Sequence, residues 1–162
     1  MITISRLNAD HWQDYRDLRL EALKNEPLAF SSSYEEEQLI VETGWRTRIE
    51  NALFAIDNGK LVGIVGFFRN NRIKTNHVGE IFGVYVRPAY RDKGIGKQLI
   101  TAIIEEIKKT EGIEKIKIGV NPTQKAAAHI YRKFGFKKVG LLKKDMQVNG
   151  KFYDELWMEK HL

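Results

Sequence analysis

The chain has 162 residues, 43% of them hydrophobic and 30% charged, with a formal net charge of +6 and no cysteine. That length suits a single domain over residues 1–162 that buries roughly 70% of its unfolded surface, and no apolar run approaches the ~20 residues needed to span a membrane. The missing cysteines exclude disulfides, zinc-thiolate sites and a cysteinyl thioester intermediate, while the excess of Lys and Arg suits a polyanion: nucleic acid, an acidic surface or a phosphate-bearing cofactor.

Residues 1–6, Met-Ile-Thr-Ile-Ser-Arg, lack the basic-then-apolar build of a secretion signal, so a cytoplasmic location is expected. Residues 2–7 read as a short strand. Asn8 or Asp10 is placed to cap a helix with apolar positions Trp12, Tyr15, Leu18, Ala22 and Leu23, stopped by Pro27. Ser31, Ser32 and Ser33 offer caps for a helix starting near Tyr34, with Glu35, Glu36 and Glu37 at its positive end; Gly44 interrupts the pattern beyond. Apolar runs at 53–56 and 61–68 flank Asp57-Asn58-Gly59-Lys60, a hairpin signal because both turn residues tolerate positive φ. A polar, basic loop covers 70–76.

The stretch 80–104 organises the rest. Residues 80–86 are rich in β-branched and aromatic side chains and read as a strand, which Pro88 ends. Ile95, Leu99, Ile100, Ile103, Ile104 and Ile107 share one helix face. Between strand and helix, Gly94 and Gly96 permit close main-chain approach to a ligand, and Arg87, Arg91, Lys93 and Lys97 surround them, opposed within the turn by Asp92. A diphosphate suits such a turn at a helix N-terminus; the plainer alternative is an ordinary loop with a solvated basic face. Leu99 stands where a dinucleotide fingerprint needs glycine, and Gln98 and Arg91 break the P-loop pattern.

Two features of the strand bear on chemistry. Glu80, counted by twos, shares a face with Val78, Phe82 and Val84, and burial there raises a carboxyl pKa toward that of a base for neutral pH. The alternative is a salt bridge to Arg69 or Arg72. Gly83 inside the strand marks a bulge or a close backbone approach, leaving main-chain groups of Val84, Tyr85 and Val86 free. Further on, Ile116, Ile118 and Val120 alternate with Lys115, Lys117 and Gly119 as in a half-buried strand. Pro122 and Thr123 introduce a helix with Ala126, Ala127, Ile130 and Phe134 as its apolar face and Gly135 at its end. Strands over about 136–148 and 152–160 join through Asn149-Gly150, a second hairpin signal. Glu35, Glu36, Glu37, Asp154 and Glu155 either attract a cationic amine or are solvated, and Trp45, Tyr153 and Trp157 either line a pocket or fill a core.

Arg91-x-x-Gly94-x-Gly96, after a strand ending Val84-Tyr85-Val86-Arg87-Pro88, resembles the acyl-CoA pyrophosphate loop of the GNAT N-acetyltransferase superfamily. Ala127-x-x-Ile130-Tyr131-x-x-x-Gly135-Phe136 resembles the same family's second signature. The resemblance implies a mixed α/β fold whose largely antiparallel sheet is flanked by helices and splayed by acyl-CoA. It implies acetyl-CoA as cosubstrate and direct transfer to an amine-bearing acceptor, in a monomer or homodimer with no metal, nucleic acid or membrane. On that pattern Arg91, Asp92, Lys93, Gly94, Ile95, Gly96 and Lys97 hold the diphosphate, while Val84, Tyr85 and Val86 meet the pantetheine arm and the acetyl carbonyl. Glu80 takes a general-base position and Tyr131 meets the CoA sulfur. A phenol of pKa ~10 is a weaker acid than a thiol of ~8.5, so a hydrogen bond to the departing thiolate is the expected role. Gln124 stands where many members carry an asparagine for the pantetheine arm, and Asn121 lies three residues earlier; either is a contact. Residues 28–51 would form the wall of the acceptor site. The competing readings are a non-catalytic acyl-CoA-binding module and a basic nucleic-acid-binding domain of steep salt dependence.

Overall fold

The structure, a computed structural model, describes residues 1–162. It is a mixed α/β fold with a seven-stranded, mostly antiparallel sheet of order β1-β2-β3-β4-β5-β7-β6. The strands are β1 Ile2–Ser5, β2 Ala52–Asp57, β3 Lys60–Arg69, β4 Val78–Val86, β5 Lys115–Val120, β6 Lys137–Val148 and β7 Lys151–His161. The helices are α1 Trp12–Asn25, α2 Tyr34–Glu37, α3 Glu42–Ile49, α4 Ile95–Lys108 and α5 Lys125–Lys133. None is long and apolar enough to cross a membrane. Two compact units form, Met1–Phe67 with Gly83–Glu106, and Phe68–Phe82 with Ile107–Leu162.

In the first unit, α1 places Tyr15, Leu18, Ala22 and Leu23 on a core shared with Trp45 and Ile49 of α3, Phe54 of β2 and Tyr85 of β4. Tyr15 meets Trp45 and Phe54 edge-on, with ring centroids 5.3 and 5.5 Å apart, the arrangement that the ring quadrupole favours. Trp45 is therefore a core residue. Asn58 (φ 47°) and Gly59 (φ 79°) form the expected β2–β3 turn, whose left-handed pair matches the twist of the strands. The first helix start differs from expectation. Asn8 caps a 3-10 turn, Ala9–His11, by accepting from Asp10 N, and α1 follows without a side-chain cap. Ser33 does cap α2, in a reciprocal box with Glu36. The break then falls at residues 38–41, and Gly44 lies inside α3.

In the second unit, β4 pairs in parallel with β5 from Val78↔Lys115 to Ile81↔Ile118 and no further. β5 pairs antiparallel with β7, and β7 with β6. Ile116, Ile118 and Val120 are buried and alternate with half-buried neighbours. The face of α5 differs from expectation: Ala128 and Tyr131 are its buried residues, and Ala126 is exposed. Both sets keep helical spacing, so periodicity within this short helix could not separate them. Asn149 (φ 50°) and Gly150 (φ 76°) turn β6 into β7. β6 carries an unforeseen irregularity between Leu142 and Met146, where Lys144 has φ 53°. Asp154 satisfies it, accepting from Lys144 N and Lys143 Nζ at 3.0 Å each. Its carboxyl is held below the usual range chiefly by that backbone hydrogen bond, so Asp154 is engaged with β6 instead of standing ready for a cationic amine.

Candidate active site

β4 in the first unit leads into the glycine turn and α4. The six isoleucine and leucine positions expected on one face of α4 are all buried, which fixes the rotation of the helix, and Lys97 and Gln98 of its first turn are exposed. Asp92 (φ 61°) and Gly94 (φ 76°) are left-handed. A Cβ at Gly94 would meet nothing within 4 Å, so the demand for glycine there is conformational. Gln98 N donates to Gly94 O at 3.1 Å, the first bond of the helix. The N–H groups of Ile95, Gly96 and Lys97 precede that bond and belong to the helix's orphan donors, at the positive end of its dipole.

The cations of the turn are more constrained than the sequence suggests. Arg87 pairs with Glu21 at 2.8 Å and Arg91 with Glu26 at 2.7 Å. Arg91 Nε also donates to Val86 O at 3.0 Å. Of the main-chain groups expected to be free on Val84, Tyr85 and Val86, the Val86 carbonyl is thus engaged. Glu21 and Glu26 join Asp92 as opposing carboxylates. Lys93 Nζ reaches Ala89 O at 3.1 Å, and Lys97 is exposed. Gly83 has φ +65°, the left-handed kink expected of a strand bulge.

The second unit holds Glu80, Asn121, Gln124 and Tyr131. Glu80 lies opposite Lys117 in the β4–β5 ladder. Burial pushes its pKa up, and the charge of Lys117 opposes that rise. The salt bridge considered for Glu80 does not form with Arg69, which donates to the carbonyls of Asn76 and Glu111. Lys117 Nζ sits 5.2 Å from the Trp157 ring centroid. Glu155, on β7, reads in the sequence only as an acid that attracts a cationic amine or is solvated; its partial burial is unforeseen. Burial first, then a hydrogen bond and charge from Asp145, then the charge of Glu80, push it up to about 7. A Cβ at Gly119 would lie 2.6 Å from Glu155 Oε1, so glycine at that position admits the carboxylate against β5. The alternation Tyr153, Glu155, Trp157, Glu159 along β7 was the one local signal for it, and the neighbours that matter come from other strands.

Asn121 is 5% exposed. Its Oδ1 accepts from Thr123 N and Oγ1 at 2.9 and 2.7 Å, and its Nδ2 is a buried donor with no partner. Such a group is costly unless a ligand completes it. Gln124 is half-buried at the start of α5 and makes no side-chain cap. Tyr131 is buried, 6.2 Å from Phe136 ring to ring, and burial pushes its hydroxyl pKa up. A depression of about 420 Å³ by the β2–β3 turn, lined by Asp14, Asp17, Asn58 and Arg87 among others, contains none of the expected site residues.

Comparison with known proteins places the fold. The model of the acetyltransferase (GNAT) family matches residues 9–136. The uncharacterized N-acetyltransferase MJ1207 of Methanocaldococcus jannaschii is 29% identical over 147 residues, 87% of this chain and 63% of that protein; the match thus spans under two thirds of that relative. The L-amino acid N-acetyltransferase AaaT of Escherichia coli is 26% identical over 121 residues, 72% of this chain and 74% of its own. Among solved structures, a phosphinothricin acetyltransferase from Sinorhizobium meliloti in complex with AcCoA aligns with a TM-score of 0.81 at 22% identity, over 99% of this chain and 88% of that one; at that identity it shows a shared fold.

Proposed function

The chain belongs to the acetyltransferase (GNAT) family, and from that premise we propose that it transfers an acetyl group from acetyl-CoA directly to a primary amine, of a small molecule or of a peptide or protein N-terminus. The observation that carries the reading is the strand–turn–helix at 78–108, where left-handed Asp92 and Gly94 precede the orphan N–H groups that open α4 and Lys93 and Lys97 are exposed. Residues 91–97 then hold the diphosphate through main-chain donors and charge. The buried Nδ2 of Asn121 supports Asn121, ahead of Gln124, as the donor to an amide carbonyl of the pantetheine arm. Main-chain groups next to the Gly83 kink polarise the thioester carbonyl.

The chemistry needs an uncharged amine and a tolerated thiolate. At pH 7 a lysine-like amine costs about 4.6 kcal/mol to deprotonate and an α-amine about 1.0–1.4 kcal/mol. Glu80 removes that proton, directly or through water, as the nitrogen forms its bond to the acetyl carbon and the C–S bond breaks. Tyr131 donates a hydrogen bond to the sulfur. Its raised pKa makes it a poorer acid than free phenol, so it stabilises the thiolate without protonating it.

The direct test is an amine panel with acetyl-CoA, following free thiol release. Thiol release is expected; binding without release to any amine leaves only a carrier role. Acetyl-CoA at 100 times its Kd is expected to add about 2.7 kcal/mol of stability, and pantetheine, lacking the diphosphate, much less. Gly96→Val crowds the turn and is expected to abolish the acetyl-CoA thermal shift in a folded protein; a retained shift overturns the loop assignment. Glu80→Gln is expected to lower kcat/KM on an α-amine at pH 7 by roughly tenfold, the scale of that amine's deprotonation cost. A base whose pKa is raised loses activity as pH falls through that raised value, so the acidic limb of the wild-type profile is expected to disappear in Glu80→Gln. An unchanged profile makes Glu80 structural.

A further inference from the structure

One buried cation of the first unit is matched at only part of its fork. Arg19, on α1, is 6% exposed. Its Nε and Nη2 donate to Glu37 at 2.9 and 2.8 Å, and its guanidinium carbon lies 4.7 Å from the Phe30 ring centroid. The remaining nitrogen, Nη1, faces β4 at a glycine: a Cβ built on Gly83 would sit 3.2 Å from it. Arg48 Nη1 also reaches Glu37, at 3.2 Å, so two guanidinium groups share one carboxylate. The buried Arg19–Glu37 pair is neutral in itself and the Arg48 side chain is exposed. The unmatched donor Nη1 is completed by an acceptor, and the positive charge Arg48 adds beside it favours an anion over a cationic arm. The planar guanidinium matches a carboxylate in both charge and geometry.

Gly83 immediately precedes Val84, whose main chain is assigned above to the acetyl carbonyl. An anion at Nη1 therefore stands one residue along β4 from the reacting carbon. We propose that Arg19 selects the acceptor: its Nη1, beside Gly83, receives the carboxylate of an α-amino acid whose amine is acetylated. This rests on the transferase reading and narrows the acceptor from any primary amine to one that carries a carboxylate next to its nitrogen. Polyamines and lysine side chains lack that group, and a peptide N-terminus offers a neutral carbonyl in its place.

The test uses the whole chain with saturating acetyl-CoA and thiol release as the readout. Acceptors are leucine, serine and phenylalanine, each beside its amide and its decarboxylated amine, with one short peptide bearing a free N-terminus. The free acids are expected to exceed their amides in kcat/KM by roughly 10- to 100-fold, the range of one charge-assisted hydrogen bond. Arg19→Lys keeps the charge but loses the fork; it is expected to cut that ratio to roughly a tenth, mainly through KM, while the thermal shift with acetyl-CoA persists. Amides, amines or the peptide used as well as the acids overturn the proposal and leave the transferase reading intact, as does a ratio unchanged in Arg19→Lys. Thiol release with none of the acceptors, despite a normal acetyl-CoA shift, refutes the transferase reading itself. Should Arg19→Lys fail to fold, the acid-to-amide ratio of the unmutated protein decides.

Discussion

Replacing Glu37 with alanine is expected to destabilise the protein by about 3–5 kcal/mol, the range for removing one member of a buried ion pair. Glu37 is 3% exposed and Arg19 6%. Their two hydrogen bonds use both carboxylate oxygens, so the variant strands a guanidinium over Phe30 with Arg48 beside it. For a chain of this size the loss corresponds to a fall in Tm of roughly 6–20 °C, read by thermal unfolding without ligand. An unchanged Tm dismisses the pair as a structural element. The joint change Arg19→Met with Glu37→Leu removes both charges together and is expected to cost less than Glu37→Ala alone.

The same pair fixes a pH dependence. Burial works against the charge of Glu37, but the hydrogen bond and charge of Arg19, with help from Arg48, hold its pKa below the ordinary value of 4.5. A carboxyl depressed on folding contributes stability that is fully present above its unfolded pKa and lost as pH falls through the folded one. Wild-type stability is therefore expected to decline from about pH 4.5 downward. Part of that decline should be missing from the double variant; identical slopes for the two proteins remove Glu37 as its source.

Tyr131→Phe is expected to lower kcat by roughly 10²-fold, the low end for a positioned proton or hydrogen-bond donor, and to leave acetyl-CoA affinity within a few-fold. The substitution keeps the ring packed against Phe136 and removes only the hydroxyl. Because charge builds on the neighbouring sulfur only once C–S cleavage begins, the loss belongs to the transition state and appears in kcat more than in KM. Pre-steady-state thiol release establishes that chemistry limits the rate. With that shown, a kcat equal to wild type reduces Tyr131 to a packing residue. A burial-raised phenol also predicts that no basic limb from Tyr131 appears below pH 10.

The elements that the sequence determined by itself are those whose signal lies within a few neighbouring residues. The apolar spacing of α4 from Ile95 to Ile107, the alternation of β5 and the left-handed Asn-Gly pairs at 58–59 and 149–150 all hold in the structure, because period and turn angle are local properties of the backbone. The two family signatures are equally local runs, and they indicated the acetyltransferase family before any fold was described. Only the tertiary structure decided where charge is buried. Glu37 reads as one of three solvated acids at a helix start, yet it is the one that meets Arg19, 18 residues away. Glu155 reads as an edge-strand acid until Gly119, Asp145 and Glu80 are brought to it, and Asn121 and Gln124 are equivalent until one is found with a buried, unmatched donor. A charged or amide side chain has no intrinsic preference strong enough to reveal its fate. Its burial is set by partners that chain folding supplies from far along the sequence, and desolvation makes those partners decisive.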